Sequence, residues 1–365
     1  MSRLKVLALS PFPVEAAATR FRLVQLRGAL GEHGVDLEVH PFLDSDGFST
    51  FYRRSAWKRT AVALVRASGR RVADVRRARR ADVLLVLREA AVLGPPLFEW
   101  LSLHAGRAPM VLDLDDATYV TYVSPTYGRL ATVLKWPGKT DQLIRWARLA
   151  TCGNQVIADY VSARGTPTRV VPTVVDTDVF RPRDPDNDPP GSLPTVGWIG
   201  THSTFPFLES LSPVLEDLGR HHRYRLTVVG SGRDRVMIPG VEVENRPWAL
   251  DREAKDFRSL DIGLYPLVED RWSAGKSGLK SIQYMAVGIP FVASPVGAAG
   301  ELGEAGTTHF AASEPGEWRK YLGLLLDDPA LRRRMGAAGR AHVLGRYTVA
   351  HAARALAEAL HDAAS

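Results

Sequence analysis

The feature that most constrains this chain is a series of continuous apolar runs of strand length, separated by segments with helical periodicity. In the first half the runs are LKVLALS (4–10), VDLEVHPFL (35–43), ADVLLVL (81–87), MVLDLDD (110–116), LATCGN (149–154) and RVVPTVVD (169–176). A strand with one wet face alternates apolar and polar residues, whereas a strand covered on both faces does not. Helix-like stretches such as Phe21 to Gly31 lie between the runs. The pattern predicts an α/β fold: a doubly wound parallel sheet with helices on both faces.

The rhythm stops at RPRDPDNDPPGSLP (181–194), which has five prolines and one glycine among acidic residues and suits neither a core nor a helix. It then restarts with TVGWIGT (195–201), YRLTVVGSG (224–232), VEVENRPW (241–248), DIGLYPL (261–267) and PFVASPVG (290–297). Helices are expected over Phe205–Leu218, Leu250–Leu260, Lys276–Val287, Glu314–Leu326 and Pro329–Leu344, with an amphipathic tail from Val349 to Ala363. A chain of 365 residues, 45% hydrophobic, is long enough for two cores. The expected division is a first domain over 1–183, a linker over 184–194, a second domain over 195–345 and a terminal helical segment over 346–365.

SAGKSGLK (273–280) ends in the Gly-Lys-Ser of a nucleotide-triphosphate loop. Such a loop needs a glycine five residues before Gly275, so that the backbone can curl around phosphates. Asp270 stands there and would repel them, which argues against an ATPase. What remains is still phosphate chemistry. A helix is expected to begin near Lys276 and to stop at Gly288 and Pro290. Its unpaired N-terminal amides carry partial positive charge. Lys276 and Lys280, four apart, are expected on one face as a diphosphate site, with Gln283 in reach of a sugar or ribose hydroxyl. The turn Gly200–Thr201–His202 closes the first strand of the second half. There the absence of a side chain on Gly200 lets backbone approach a phosphate.

The segments VGWIGTHST (196–204), LTVVGSG (226–232) and DIGLYPLVEDRWSAGKSGLKSIQYMAVGIPFVASPVG (261–297) resemble the donor-nucleotide domain of glycosyltransferase family 4. The helical tail after RYT (346–348) adds to the likeness. SPFPVEAAATRFRLVQLRGAL (10–30), VLDLDDATY (111–119) and VVPTVVDTDVFRP (171–182) resemble its acceptor domain more loosely. The resemblance implies a GT-B fold, two Rossmann-like domains facing across a cleft, with the last helix packed on the first domain. It implies a cytoplasmic enzyme that moves a sugar from a UDP- or GDP-linked donor to an acceptor hydroxyl. Anomeric retention and no cofactor or metal are implied with it. On this reading Lys276, Lys280, Gly200 and Thr201 stabilise the leaving diphosphate. His202, Gly230, Gln283, Gly297 and Glu301 contact the donor, and Arg20, Arg22, Asp115 and Asp116 lie on the acceptor side. The family often carries two glutamates eight residues apart; here Gly275 and Gln283 stand in their places. Two alternatives stay open: a 2-epimerase-like enzyme on the same fold, or a member that binds a nucleotide-sugar without turnover.

Other features are less specific. DLDD (113–116) has oxygen ligands suited to a divalent cation, but cap or cleft roles compete with that. His40, His104 and His202 have no partner fixed by spacing. The single cysteine, Cys152, excludes an intrachain disulfide and reads as a core residue. GSGRDR (230–235) has Arg235 where a dinucleotide fingerprint needs its third glycine. The N-terminus reads as a buried strand, and no apolar run reaches the length of a membrane span. The net charge is +7, with eleven basic residues and one acidic residue, Asp74, between Arg53 and Arg80. Trp57, Ala61, Leu64, Val65, Val72 and Val75 recur there at helical spacing. A basic amphipathic helix is expected, serving as a solvated face, a peripheral contact with anionic lipid, or a contact with an anionic acceptor. No motif for nucleic acid accompanies the charge.

Overall fold

The computed structural model describes residues 3–120, 128–183 and 192–365. Positions 184–191 of the expected linker lie outside the described residues. The chain forms two compact units: Met1–Val174 with Gly275–Ser277 and Val349–Ser365, and Val175–Ala274 with Gly278–Thr348.

Unit 1 holds a parallel sheet of β1 (Leu4–Ser10), β2 (Val35–Pro41), β3 (Val83–Leu87), β4 (Met110–Leu114), β5 (Leu149–Cys152) and β6 (Thr168–Val170). Their order is β2-β1-β3-β4-β5-β6. Its helices are α1 (Ala17–Arg22), α2 (Arg27–Glu32), α3 (Ser45–Phe51), α4 (Trp57–Arg77), α5 (Leu97–Ala105), α6 (Gly128–Leu134), α7 (Lys139–Trp146) and α8 (Gln155–Ser162). Leu84, Val86, Leu112, Ile144 and Ile157 are fully buried where helices cover the sheet. β3 and β4 are buried at every position, the physical basis of their unbroken apolar runs.

Unit 2 holds β7 (Thr195–Ile199), β8 (Arg225–Val229), β9 (Glu242–Arg246), β10 (Ile262–Tyr265), β11 (Phe291–Ala293) and β12 (Phe310–Ala311), in the order β12-β11-β10-β7-β8-β9. Its helices are α9 (Phe205–Glu209), α10 (Ser212–His221), α11 (Glu253–Arg258), α12 (Arg271–Ala274), α13 (Leu279–Ala286), α14 (Ala298–Glu301), α15 (Pro315–Asp327) and α16 (Pro329–Arg346). Leu226, Val228, Ile262, Leu322 and Trp318 are at its centre. The last helix, α17 (Val349–Ala364), groups with unit 1, where Arg169 of β6 pairs with its Glu358 and Asp362.

Four sequence expectations change. The first boundary falls at Val174, not at 183, because residues 175–183 are tied to unit 2: Arg340 donates to the carbonyls of Thr177 (2.9 Å) and Phe180 (2.7 Å), and Arg183 pairs with Asp261. The helix expected over Phe21–Gly31 is broken at Leu23, which leaves helical geometry (φ −124°). Leu23 and Leu26 are both buried beyond the break. The helix expected over Phe205–Leu218 is two, with Pro213 in the first turn of α10, where its missing N–H is harmless. The helix expected from Lys276 starts at Leu279 instead, as described below.

Candidate functional site

In unit 2 the strand order reverses between β7 and β10. Ligands of such sheets bind outside the carboxyl ends of the strands at this reversal. Glycine-bearing turns and the N-terminus of α13 lie at that edge.

The first turn, Gly200–Thr204, follows β7. Its geometry corrects one expectation. The Gly200 amide donates to Val229 O (3.0 Å) and the Thr201 amide to Thr204 Oγ1 (3.1 Å). Both are committed within the fold, so neither is left for a phosphate. The turn after β8 passes directly against it. Gly230 adopts φ 81°, and a Cβ there would lie 2.3 Å from Gly200 O. Only glycine meets both demands. His202 is exposed on this rim, its Cβ close beneath Gly232.

The α13 helix carries Lys280 in its first turn. Gly278 caps it in the left-handed region (φ 67°), and a Cβ at Gly278 would meet Leu302 Cδ1 at 2.2 Å. Tyr284 fixes the helix to the sheet: its hydroxyl lies 3.3 Å from Gly197 O on β7 and 3.1 Å from Leu264 O on β10, the two strands flanking the reversal. Burial pushes the Tyr284 phenol up, so it remains a donor. Lys280 Nζ donates to Gln283 Oε1 at 3.0 Å and lies 5.0 Å from the centre of the Phe257 ring. Gln283 is fully buried, and its Nε2 has no protein acceptor among the described residues. The structure therefore places Gln283 behind Lys280, not on a surface that a hydroxyl could reach.

Lys276 does not share the α13 face with Lys280. Residues 275–277 group with unit 1, where Asn154 Nδ2 donates to the carbonyls of Gly275 and Lys276, each at 3.1 Å. Together with Gly278 this holds Lys276 out of the helix. A side chain at 275 has no room, since a Cβ would lie 2.3 Å from Ala117 Cβ; the glycine in place of an acidic residue is thus a packing requirement. Gly297 caps α14 against the Ala274 carbonyl, and Glu301 ends that helix exposed.

In unit 1 the strand order reverses between β1 and β3. The loop after β1 is held by Arg20, whose Nη1 donates to Val14 O (2.9 Å) and Glu15 O (3.2 Å). Arg22 is not an acceptor-side group. It is buried, forks onto Asp113, and donates to Val171 O. That guanidinium braces β4 against the end of β6. Asp115 is likewise committed, bound by Arg88 Nε (2.6 Å) and Nη2 (2.8 Å). Burial works against its ionisation, but the charge and hydrogen bonds of Arg88 outweigh that and hold its pKa below the ordinary carboxylate value. Asp116 is half-buried, accepts from the Ala117 amide at 3.0 Å and lies 3.6 Å from Arg88 Nη2. Among the described residues no group of three His, Cys, Asp or Glu side chains is arranged to hold a metal ion.

Three residues at this edge escaped the sequence reading. Arg88 follows β3 in the left-handed region (φ 61°), a strained conformation for a residue with a side chain. Its signal was a charged residue directly after a strand at the reversal. Glu89, next to it, binds the buried Lys139 Nζ at 2.8 Å. Arg71 is buried on α4, where its guanidinium donates to Ser10 O (2.9 Å), His40 O (3.0 Å) and Ala90 O (2.8 Å). It joins the ends of β1, β2 and β3. His40 proves structural, bridging Asp74 and Glu38, and His104 packs on Trp100.

Residues 210–358 match a family model described as "Glycosyl transferase-like". No curated protein sequence matches. Among solved structures the chain is similar to a glycosyltransferase from Rickettsia africae (TM-score 0.69, 11% identity, covering 100% of this chain and 99% of that one). It is similar to sucrose-phosphate synthase from Thermosynechococcus elongatus (0.70, 14%, 99% of each). It is also similar to Anabaena HepE in complex with UDP and glucose (0.66, 15%, 99% and 100%). The likeness spans the whole chain in each case, and the protein has the GT-B fold.

Proposed function

We propose that this protein transfers a glycosyl group from a nucleoside-diphosphate sugar to an acceptor hydroxyl, with retention of anomeric configuration. The observation that carries the reading is Lys280 on the first turn of α13, with that helix fixed by Tyr284 to the two strands of the reversal. Cleavage of the donor leaves negative charge on the diphosphate. A preorganised ammonium and a helix N-terminus aimed at such charge lower the barrier without rearranging. Gln283 acts as the positioning residue for Lys280. The bond from the anomeric carbon to the phosphate oxygen breaks, the bond to the acceptor oxygen forms on the same face, and the acceptor proton goes to the leaving phosphate. The charge is met by these groups and not by a metal.

UDP is the first nucleotide to test, since the similar Anabaena protein was solved with it. Thermal stabilisation is to be measured with UDP, GDP, ATP and NAD, with and without EDTA. A ligand that binds only the folded state raises the melting temperature by mass action. UDP or GDP is expected to stabilise the protein in EDTA, and Lys280→Ala to remove the effect. Stabilisation by ATP or NAD alone would sink the reading. Release of nucleotide that depends on an added acceptor alcohol separates transfer from epimerisation, which needs none.

A further inference from the structure

The helix α4 turns a mixed face inward, where Ala63, Leu64 and Ala67 pack on a cluster with Phe42 and Phe51 and polar residues lie beside them. Its inward stripe is Thr60, Ala67, Arg71 and Asp74, all buried. Arg71 and Asp74 are locked there: Arg71 holds three strand-end carbonyls, and Asp74 accepts from Arg71, Arg77 and His40. The opposite side faces outward and carries exposed valines interleaved with Lys58 and Arg76. Val65 is 74% exposed, Val62 50% and Val72 47%, and Trp57 at the helix start is 63% exposed. The sequence expectation of one apolar face including Leu64 and Val75 is thereby corrected. Those two are only partly exposed, whereas Trp57, Val65 and Val72 point away from the core.

Rotation cannot hide the valines, because it would expose the Arg71–Asp74 pair and strip three strand ends of their donor. The valines are also flanked by cations. Lys58, Arg59, Arg66, Arg76, Arg79 and Arg80 are exposed, and none has an ion-pair partner among the described residues. A groove of about 560 Å³ at the helix start is lined by Arg53, Trp57, Lys58 and Arg59.

We infer that α4 is a membrane-surface helix that docks this protein on an anionic bilayer, its arginines on the lipid phosphates and its exposed valines with Trp57 at the headgroup boundary. A soluble polyanion would satisfy the arginines and leave the valines in water. A neutral apolar partner would cover the valines and strand the arginines. An anionic bilayer surface meets both, and Trp is favoured at that depth. No helix among the described residues is long and apolar enough to cross a membrane, so the contact is peripheral. The inference stands apart from the proposed transferase activity.

The test uses the full chain and vesicles of phosphatidylcholine with and without phosphatidylglycerol. Flotation is expected only with the anionic vesicles, and Val65→Glu combined with Val72→Glu is expected to weaken it at least tenfold. Both sites are exposed, so the variant keeps its circular dichroism spectrum. Depth is read separately with an environment-sensitive dye on Val65→Cys. Cys152 is buried and its thiol is pushed up to about 12, so the dye goes to the introduced site. The Val65 dye is expected to shift blue on anionic vesicles, whereas the same dye on Arg220→Cys, on α10 of unit 2, is not. No flotation at low salt overturns the inference. So does flotation with an unshifted Val65 dye and an unaffected double variant, or tighter binding to heparin than to the vesicles.

Discussion

Half-buried Lys280 and fully buried Gln283 form a unit in which the buried amide holds the ammonium. Nζ donates to Oε1 at 3.0 Å, and the far end of the amide, Nε2, is a buried donor without a protein acceptor. The two ends of Gln283 therefore make opposite contributions. An unsatisfied buried donor costs about 1–3 kcal/mol, so an apolar residue of similar shape is nearly neutral or stabilising at such a site. Gln283→Leu is expected to leave the urea midpoint unchanged or raised while weakening binding of the nucleoside diphosphate by about 3- to 10-fold, the size of one typical net hydrogen bond. Calorimetric titration alongside urea unfolding checks both halves. A fall in stability with unchanged binding would make Gln283 a core residue only.

Arg88 sits in the left-handed region and holds the buried Asp115 with two hydrogen bonds. Its replacement separates strain from charge. Arg88→Ala keeps the strained backbone and leaves Asp115 uncompensated, which is expected to cost about 3–5 kcal/mol. Arg88→Gly loses the same pair but accepts φ 61° at no steric cost. It should be less damaging than alanine by about 1 kcal/mol. Urea unfolding of the two variants gives that difference directly, and an alanine variant at least as stable as the glycine variant would remove the strain from the account.

The fold was legible because β3, β4, β7 and β8 are nearly all buried, so their runs carry an unbroken apolar signal. The site was legible only in outline. GKSGLK announces a helix start, but where that helix begins depends on Gly278 and on Asn154, which lies more than a hundred residues away. Arg22 read as an acceptor-side group and Arg71 as one cation of a basic helix because an arginine looks the same in sequence whether it meets water or a buried carboxylate. Their partners, Asp113 and three strand-end carbonyls, are set by the sheet. The orientation of α4 was hidden for the same reason.

The turn after β8 has little room for change. A methyl group at Gly230 would lie 2.3 Å from Gly200 O, with φ at 81°. Gly230→Ala must therefore shift the Gly200–Thr204 turn or rebuild its own. Backbone strain and overpacking together are expected to cost about 2–4 kcal/mol. Displacement of the turn should also weaken nucleotide binding if the proposed function holds. Urea unfolding and the thermal shift with UDP measure the two effects, and a variant of unchanged stability would show that the turn yields freely.

Two histidines should bend the pH dependence of stability in opposite directions. His40, in unit 1, is raised mainly by its hydrogen bond to Asp74, with burial opposing and Glu38 adding to the effect. A raised pKa gives stability that is fully present below the unfolded value of about 6.5 and is lost as pH rises through the folded value. His309, in unit 2, stacks on Phe291 with ring centroids 4.9 Å apart and is lowered to about 4, by burial first and by neighbouring His342 second. It stays neutral while the unfolded chain takes up a proton. Its contribution is present above about 6.5 and falls away as pH drops towards 4, by up to about 3 kcal/mol. His342, also lowered by burial, adds to the same acid-side loss. His309→Phe preserves the stacking and should flatten the unfolding free energy between pH 6.5 and 4. His40→Gln should flatten the decline above about 6.5. Hydrogen exchange resolved by peptide assigns each change to its unit, and an acid limb that survives His309→Phe undiminished would show that His309 does not govern it.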